Sequence, residues 1–445
     1  MDGKYFKIHR QAVIEVFKKN NINTGVIVYA SPPLPTEPFS GSDLSFTQEA
    51  LFFWLTGWSQ PNTHIIIDIT TGNSTLVTSG YDEHYQIWTG AIPSREEIIN
   101  QTGVDNVIDI DDMVQYVNDL KPSKIYSTTI PMNHFPLDRF PNLDQYTLLV
   151  ATGICRRIKF PHEIEWLRKA SQLTAETIKK VWSEVKPGMG ESDIEAIFQY
   201  HGSRLGCNRV SFLTIVASGQ NSVYLHYSSN CGRVNDGDLV LLDCGLFYNH
   251  YAGDITRTFP ANGKFSPEQK LVYDSLLKQQ IELCNSAKTG SSISILNQLM
   301  MKSIFTVCQE VGVVPENTPF SYDIARLFCP HGVSHHIGCN VHDQTFFYFD
   351  QSQIDIVSDR KDNDTLRPNM IISVEPGIYF HKTRLEQSKD KDMYAAVNFD
   401  RAFELAAKVG GIRIEDDVLI TEDGNEILSA WCPKDIASIE QIMNQ

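Results

Sequence analysis

The chain lacks most of the signatures that place a sequence quickly, and each absence excludes something. No two of its nine cysteines stand at CxxC spacing, so they read as scattered free thiols in a reducing compartment, not as a disulfide framework or a cysteine metal site. Positive charge is short, with 38 Lys and Arg against 54 Asp and Glu and a formal net charge of -16. That balance argues against nucleic acid and anionic membranes as main partners. No run of about 18 apolar residues occurs, so no membrane-spanning helix is expected. The opening MDGKYFKIHRQ has no apolar h-region, so no signal peptide is expected and a cytoplasmic location is the reading. The sequons at Asn73, Asn100 and Asn363 then count as chance. The nucleotide signatures GxGxxG and GxxxxGK[ST] are missing, as are HExxH and GxSxG.

What is present is ordinary folded-protein composition, 42% hydrophobic and 21% charged, over 445 residues, a length that predicts two or three domains. Residues 4–19 suit an amphipathic helix with Ile8, Ala12, Val13, Val16 and Phe17 on one side. Strand-like pieces at 25–30, 64–69, 74–79 and 124–129, with a Pro-rich loop at 31–41, predict an α/β domain with a mixed sheet over residues 1–155. Its polar residues form no recognisable chemistry. From 156 to 445 the order is helix (from Pro161), helix (to about Gly206), strand (210–218), hairpin, then helices at 266–287 and 292–311 and further strands. That order is a weak internal duplication of an α+β unit with helices on one face of antiparallel sheet.

The hairpin, LVLLDCGLFYNHYAGDITRTFP from Leu239 to Pro260, is the centre of interest. Two apolar runs flank a polar turn. A turn centred on Tyr248-Asn249 would set Asp243 and Asp254 directly opposite each other, with Cβ atoms about 4.5–5.5 Å apart. Two carboxylates so close among Leu and Ile must be neutralised by a shared proton, an arginine or metal ions. Three later residues join them. His335 lies in HGVSH. Glu375 lies in SVEPG, where Pro376 marks an edge or bulge. Glu415 lies in GIRIEDD, where alternation sets Arg413 and Glu415 on one face and Ile412 and Ile414 on the other. Four carboxylates and one imidazole are a hard, oxygen-rich donor set that suits a pair of divalent ions such as Mn²⁺, Co²⁺ or Zn²⁺.

Taken in order, SGQNSVYLHY, LLDCG, YAGDITRTFPANGKF, HGVSHHIGCNVHD, VEPGIY and GIRIEDD resemble the pita-bread metallopeptidases, and within them the Xaa-Pro peptidases, aminopeptidase P and Xaa-Pro dipeptidase. A weaker resemblance around WLTGWSQP and ITTGNSTL extends to the N-terminal domain. The resemblance implies a pita-bread catalytic domain with pseudo-two-fold halves, preceded by a smaller α/β domain. It implies two divalent ions, Mn²⁺ first, and attack by a metal-bridging hydroxide on the bond before a penultimate proline. Asp243 would chelate one ion, Asp254 and Glu415 would bridge both, and His335 and Glu375 would hold the second. Glu375 would also take a proton during attack. His342 matches a proton-shuttling or carbonyl-binding histidine, His226 a histidine near the proline carbonyl, and His331 a substrate-pocket histidine. Arg413 would orient the bridging carboxylates and His342, with Tyr379 behind it. His336 has no implied role. Arg360, in the insert between Asp343 and Glu375, could pair with the carboxylate of a dipeptide. The motifs YAGDITRTFP and HGVSH favour an aminopeptidase P-like activity on small peptides; the insert and the N-terminal domain favour the dipeptidase alternative. An inactive relative acting as a binding module should have lost ligands, and this chain keeps all five. A homodimer is left undecided.

Overall fold

The computed structural model describes residues 1–36, 44–78, 86–87, 90, 93–128, 142–343, 355–356 and 364–445. Contacts divide the chain into two compact units, Met1–Arg157 with Gln344–Asn363, and Ile158–Asp343 with Asp364–Gln445.

In the first unit, strands β1 (Val26–Ala30), β2 (His64–Asp68), β3 (Ser74–Thr78), β4 (Asn106–Asp109), β5 (Ile125–Tyr126) and β6 (Leu143–Asp144) form a sheet in the order β4-β3-β2-β1-β5-β6. It is mixed: β1 pairs antiparallel with β2 and parallel with β5. The helix Gly3–Lys19 buries Phe6, His9, Arg10, Val13, Ile14 and Phe17. This corrects the expected face. Phe6, Val13 and Phe17 follow helical spacing, whereas Ile8 sits about 200° from Phe6 and is 40% exposed. The polar members of the buried face are satisfied locally. His9 Nδ1 lies 2.7 Å from Trp54 O, and Arg10 donates to the carbonyls of Leu55, Thr102 and Gly103.

The second unit repeats one plan twice. Helices Pro161–Glu184 and Glu191–Arg204 lead into β7 (Ile215–Ser218), β8 (Leu239–Cys244), β9 (Phe247–Tyr248), β10 (Tyr251–Ala252) and β11 (Ile255–Pro260). Helices Pro267–Ser286 and Ile293–Glu310 lead on to β12 (Ile371–Val374), β13 (Gly377–Tyr379), β14 (Gly411–Arg413), β15 (Asp416–Ile420) and β16 (Asn425–Ile427). Each half makes a three-stranded antiparallel sheet, β11-β8-β7 and β12-β15-β16. The helix starts are written into the sequence. Pro161 occupies the first turn and Phe160 N–H donates to Glu163 Oε2 at 2.8 Å. Ser266 caps the helix that Pro267 opens, accepting from Gln269 N, a cap whose loss costs about 1 kcal/mol. The apolar faces of these helices, among them Trp182, Phe198, Leu276, Met300 and Ile304, share one buried core with strands β8 and β11, whose residues are buried throughout.

The hairpin register differs from expectation. Tyr248 pairs with Tyr251 and Asp243 with Thr256, so the turn is Asn249-His250. Both turn residues have positive φ, 48° and 64°, as a two-residue turn matched to strand twist requires. Asp254 therefore does not oppose Asp243. It lies two positions along, on the same face, as a diagonal neighbour. A directly opposed carboxylate pair occurs instead in the second half. Val374 pairs with Asp416 and Gly377 with Arg413, so in continuous register Glu375 faces Glu415 across the break that Pro376 makes.

Candidate metal centre

Residues from both halves converge on a cavity of about 590 Å³, lined by His226, Asp243, Asp254, His331, His335, His342, Glu375, Arg413 and Glu415 together with Phe212, Ile215, Leu225 and Val341. Every described residue singled out from the sequence except Tyr379, which lies behind Arg413, and His336 is on this wall. Arg360 lies outside the described residues. His336 is buried and its backbone bridges Ile372.

Ligand atoms of Asp254, His335 and Glu415 lie within 4.8 Å of one another. His335 Nε2 is 3.4 Å from Asp254 Oδ2 and 3.6 Å from Glu375 Oε1. Its Nδ1 is 3.1 Å from the carbonyl of His336. With the ring proton directed there, the Nε2 lone pair faces the carboxylates, the arrangement a metal-ligating histidine adopts. Ser373 holds the residue in place, accepting from His335 N at 3.0 Å. Asp243 differs from the other three carboxylates. Its Oδ2 accepts from Arg413 Nη2 at 2.6 Å, while its buried Oδ1 has no hydrogen-bond partner.

The electrostatics show what the cluster lacks. Burial, then the Asp243 charge, pushes the Asp254 carboxyl well above the usual range. Burial and the charges of Asp254, Glu375 and Asp243 do the same to Glu415. Glu375 is raised to about 7, mainly by burial, against the opposing pull of His335 and Arg413. His331 and His342 are each pushed down to about 4, first by desolvation, so both are neutral imidazoles near pH 7. Arg413 is the guanidinium on the wall. Its hydrogen bonds go to Asp243, to Thr256 Oγ1 at 3.2 Å and to Tyr379 Oη at 2.8 Å. One arginine cannot balance four carboxylates, three of them buried. An orphaned carboxylate oxygen, a histidine lone pair turned inward and this excess of negative charge fit divalent cations.

Sequence reasoning passed over Thr256, whose hydroxyl donates to Glu415 Oε2 at 2.6 Å and accepts from Arg413 Nε. Its signal was the register: it opposes Asp243, which alternation sets on the cavity face. The apolar lining of Phe212, Leu225 and Val341 carried no sequence signal. Tyr379 does stand behind Arg413, and its hydroxyl also reaches His331 Nε2 at 3.0 Å.

Comparison with known proteins agrees with this geometry. Residues 165–422, more than half of the chain, match metallopeptidase family M24, and residues 6–126 match the aminopeptidase P N-terminal domain. The chain is 29% identical to a Homo sapiens Xaa-Pro dipeptidase, over 98% of this chain and 93% of that one. It is also 29% identical to the Escherichia coli Xaa-Pro aminopeptidase, over 98% and 97%. The structure of E. coli aminopeptidase P with the inhibitor Pro-Leu superposes with a TM-score of 0.81 at 28% identity, covering 100% of this chain and 98% of that one. The expected fold, a pita-bread catalytic domain preceded by a smaller α/β domain, is the observed one. The chain belongs to metallopeptidase family M24.

Proposed function

We propose that this chain is an Xaa-Pro aminopeptidase, removing the N-terminal residue from small peptides whose second residue is proline. The observation that carries the reading is the cluster of three buried carboxylates, half-buried Glu375 and an inward-facing histidine, with Arg413 as its cation, in a cavity also lined by neutral His331 and His342. Asp243, Asp254, His335, Glu375 and Glu415 would hold two divalent cations, Mn²⁺ first, with Co²⁺ or Zn²⁺ as alternatives. Bound there, such ions supply an activated water and polarise the carbonyl of the scissile bond.

The chain's own groups do the rest. Glu375 would take the water proton at its carboxylate. His342 and His226 hydrogen-bond the carbonyls flanking the scissile bond, and His331 lines the pocket for the proline side. The bond to proline has no N–H to grip, so recognition falls to carbonyl contacts and to shape. Phe212, Ile215, Leu225 and Val341 supply an apolar wall for the pyrrolidine ring. Arg413 holds Asp243 and stays charged: burial opposes this, but Tyr379, Asp243 and the two glutamates outweigh it. Residues 1–155 form the accessory domain of this reading and 156–445 the catalytic one. A cytoplasmic location belongs to this reading, and nine free cysteines accord with a reducing compartment.

The similarity to the human Xaa-Pro dipeptidase favours a second reading, in which only dipeptides are cleaved and Arg360 pairs with the substrate carboxylate. One assay separates the two: an Xaa-Pro dipeptide against an Xaa-Pro-Yaa tripeptide, each with Mn²⁺. Tripeptide cleavage supports the aminopeptidase reading, cleavage of the dipeptide alone selects the dipeptidase, and cleavage of neither sinks both.

A further inference from the structure

Beyond the cavity wall lies a charge pair that the chemistry above does not use. Lys159 Nζ is 2.9 Å from Asp343 Oδ2, with the two side chains 1% and 2% exposed. Burying such a pair costs desolvation that an apolar pair of similar shape avoids, so stability alone does not account for it. Its position is informative. Asp343 follows His342 directly and closes a loop, its N–H donating to His336 O at 2.8 Å. Within that loop Gly338 accepts from Ala252 N at 2.9 Å, which ties the loop to the strand just before Asp254. Lys159 N donates to Asn369 O at 2.8 Å, just before β12 and Glu375. Gly338 makes room for the pair: a Cβ there would stand 2.0 Å from Asp343 Oδ2 and 3.2 Å from Lys159 Nζ. The loop begins beside His335 and ends at His342, and their rings meet edge to face with centroids 4.2 Å apart.

We propose that Lys159 is a positioning residue: through its buried ion pair with Asp343 it closes the 336–343 loop and so fixes His342 over the carboxylate cluster. The ion pair holds the backbone next to His342 at a fixed depth without placing a charge in the cavity itself. The consequence for catalysis rests on the functional reading of His342 given above; the consequence for the loop does not.

The test is the double variant Lys159→Met with Asp343→Asn, which removes both charges together and so leaves no lone buried ion. Hydrogen exchange over residues 337–343 should become at least ten-fold faster, while exchange over β8 stays as in the unaltered protein. Metal content and KM should remain within about two-fold and kcat should fall about 10–100-fold, the range seen when supporting residues of a site are removed. Lys159→Arg, which keeps the charge, should restore most of kcat. Unchanged loop exchange or unchanged kcat overturns the proposal. So does a parallel loss of metal, thermal stability and activity in both variants, because the pair would then support the fold alone. Failure of the unaltered protein to cleave any Xaa-Pro peptide would sink the functional reading, and loop exchange would still decide the positioning role.

Discussion

Glu415 and Asp416 are neighbours in the chain, both almost fully buried, and they meet opposite fates. Asp416 points into a completed charge cluster. Its carboxylate accepts from Arg257 Nη2 at 2.7 Å, Ser429 Oγ at 2.6 Å and Gln280 Nε2 at 2.8 Å, and Lys434 pairs with it as well. Burial alone would raise its pKa, but Arg257 and Lys434 outweigh burial and hold it below the usual range. Glu415 points the other way, toward Asp254, Asp243 and Glu375, and is pushed well above the usual range. Residue type and depth are matched. What differs is whether the protein supplies the counter-charge. Where it does, the carboxylate is part of the fold; where it does not, the site is built for a cation from outside.

The largest effect is expected from Asp254→Ala. Losing metal-assisted stabilisation worth several kcal/mol corresponds to a drop of about a thousand-fold or more in kcat/KM. Elemental analysis should show metal lost with it, and chelation of the unaltered protein should reproduce the inactivity until metal is restored. A fully active Asp254→Ala variant carrying two ions would erase the distinction between the two clusters.

Next, Asp416→Asn should cost about 3–5 kcal/mol, because it leaves Arg257 buried beside a neutral partner. Folded molecules of that variant should still bind metal. Glu415→Gln, measured on metal-free protein, should leave stability unchanged or raised, since it relieves repulsion. Thermal melts of the two variants side by side give the contrast, and equal destabilisation would contradict it.

The pH dependence of stability should separate the clusters in sign. Asp416 has a lowered pKa in the fold, so its contribution is present above about pH 4, the unfolded value, and is lost as pH falls. Glu375, raised to about 7 in the metal-free fold, binds more protons folded than unfolded. Its contribution is present below about pH 4.3 and is lost as pH rises toward 7. Chemical denaturation of metal-free protein should therefore show the difference in stability between Glu375→Gln and the unaltered protein shifting in favour of the variant as pH rises from about 4.5 to 7, whatever the depressed histidines add to both. The smallest effect is expected from Thr256→Val. It removes one hydrogen bond to Glu415 and one from Arg413, worth about 1 kcal/mol each, and should lower kcat by about ten-fold with metal retained.

Much of the site was legible because its residues contradict their surroundings. Asp243 stands in a run of buried Leu and Cys, and Pro376 interrupts a strand at the point where Glu375 is needed. The register was not legible. Asn249 and His250 both accept the left-handed conformation, and a shift of one residue in the turn exchanges which positions face each other. In the N-terminal helix, counting apolar residues drew in exposed Ile8 and missed buried His9 and Arg10, whose partners lie on segments distant in sequence.

The sequence by itself offered the candidate donor set and determined the helix starts and the alternation that sends Glu415 and Asp416 to opposite faces. These follow from residue type and short-range spacing, which a chain carries whatever its neighbours do. Only the tertiary structure decided which carboxylates are neutralised from within. Arg257 and Lys434 reach Asp416, Arg413 reaches Asp243, and Lys159 reaches Asp343 from 184 positions away. Charge compensation depends on distances of a few ångströms between segments that the sequence keeps far apart.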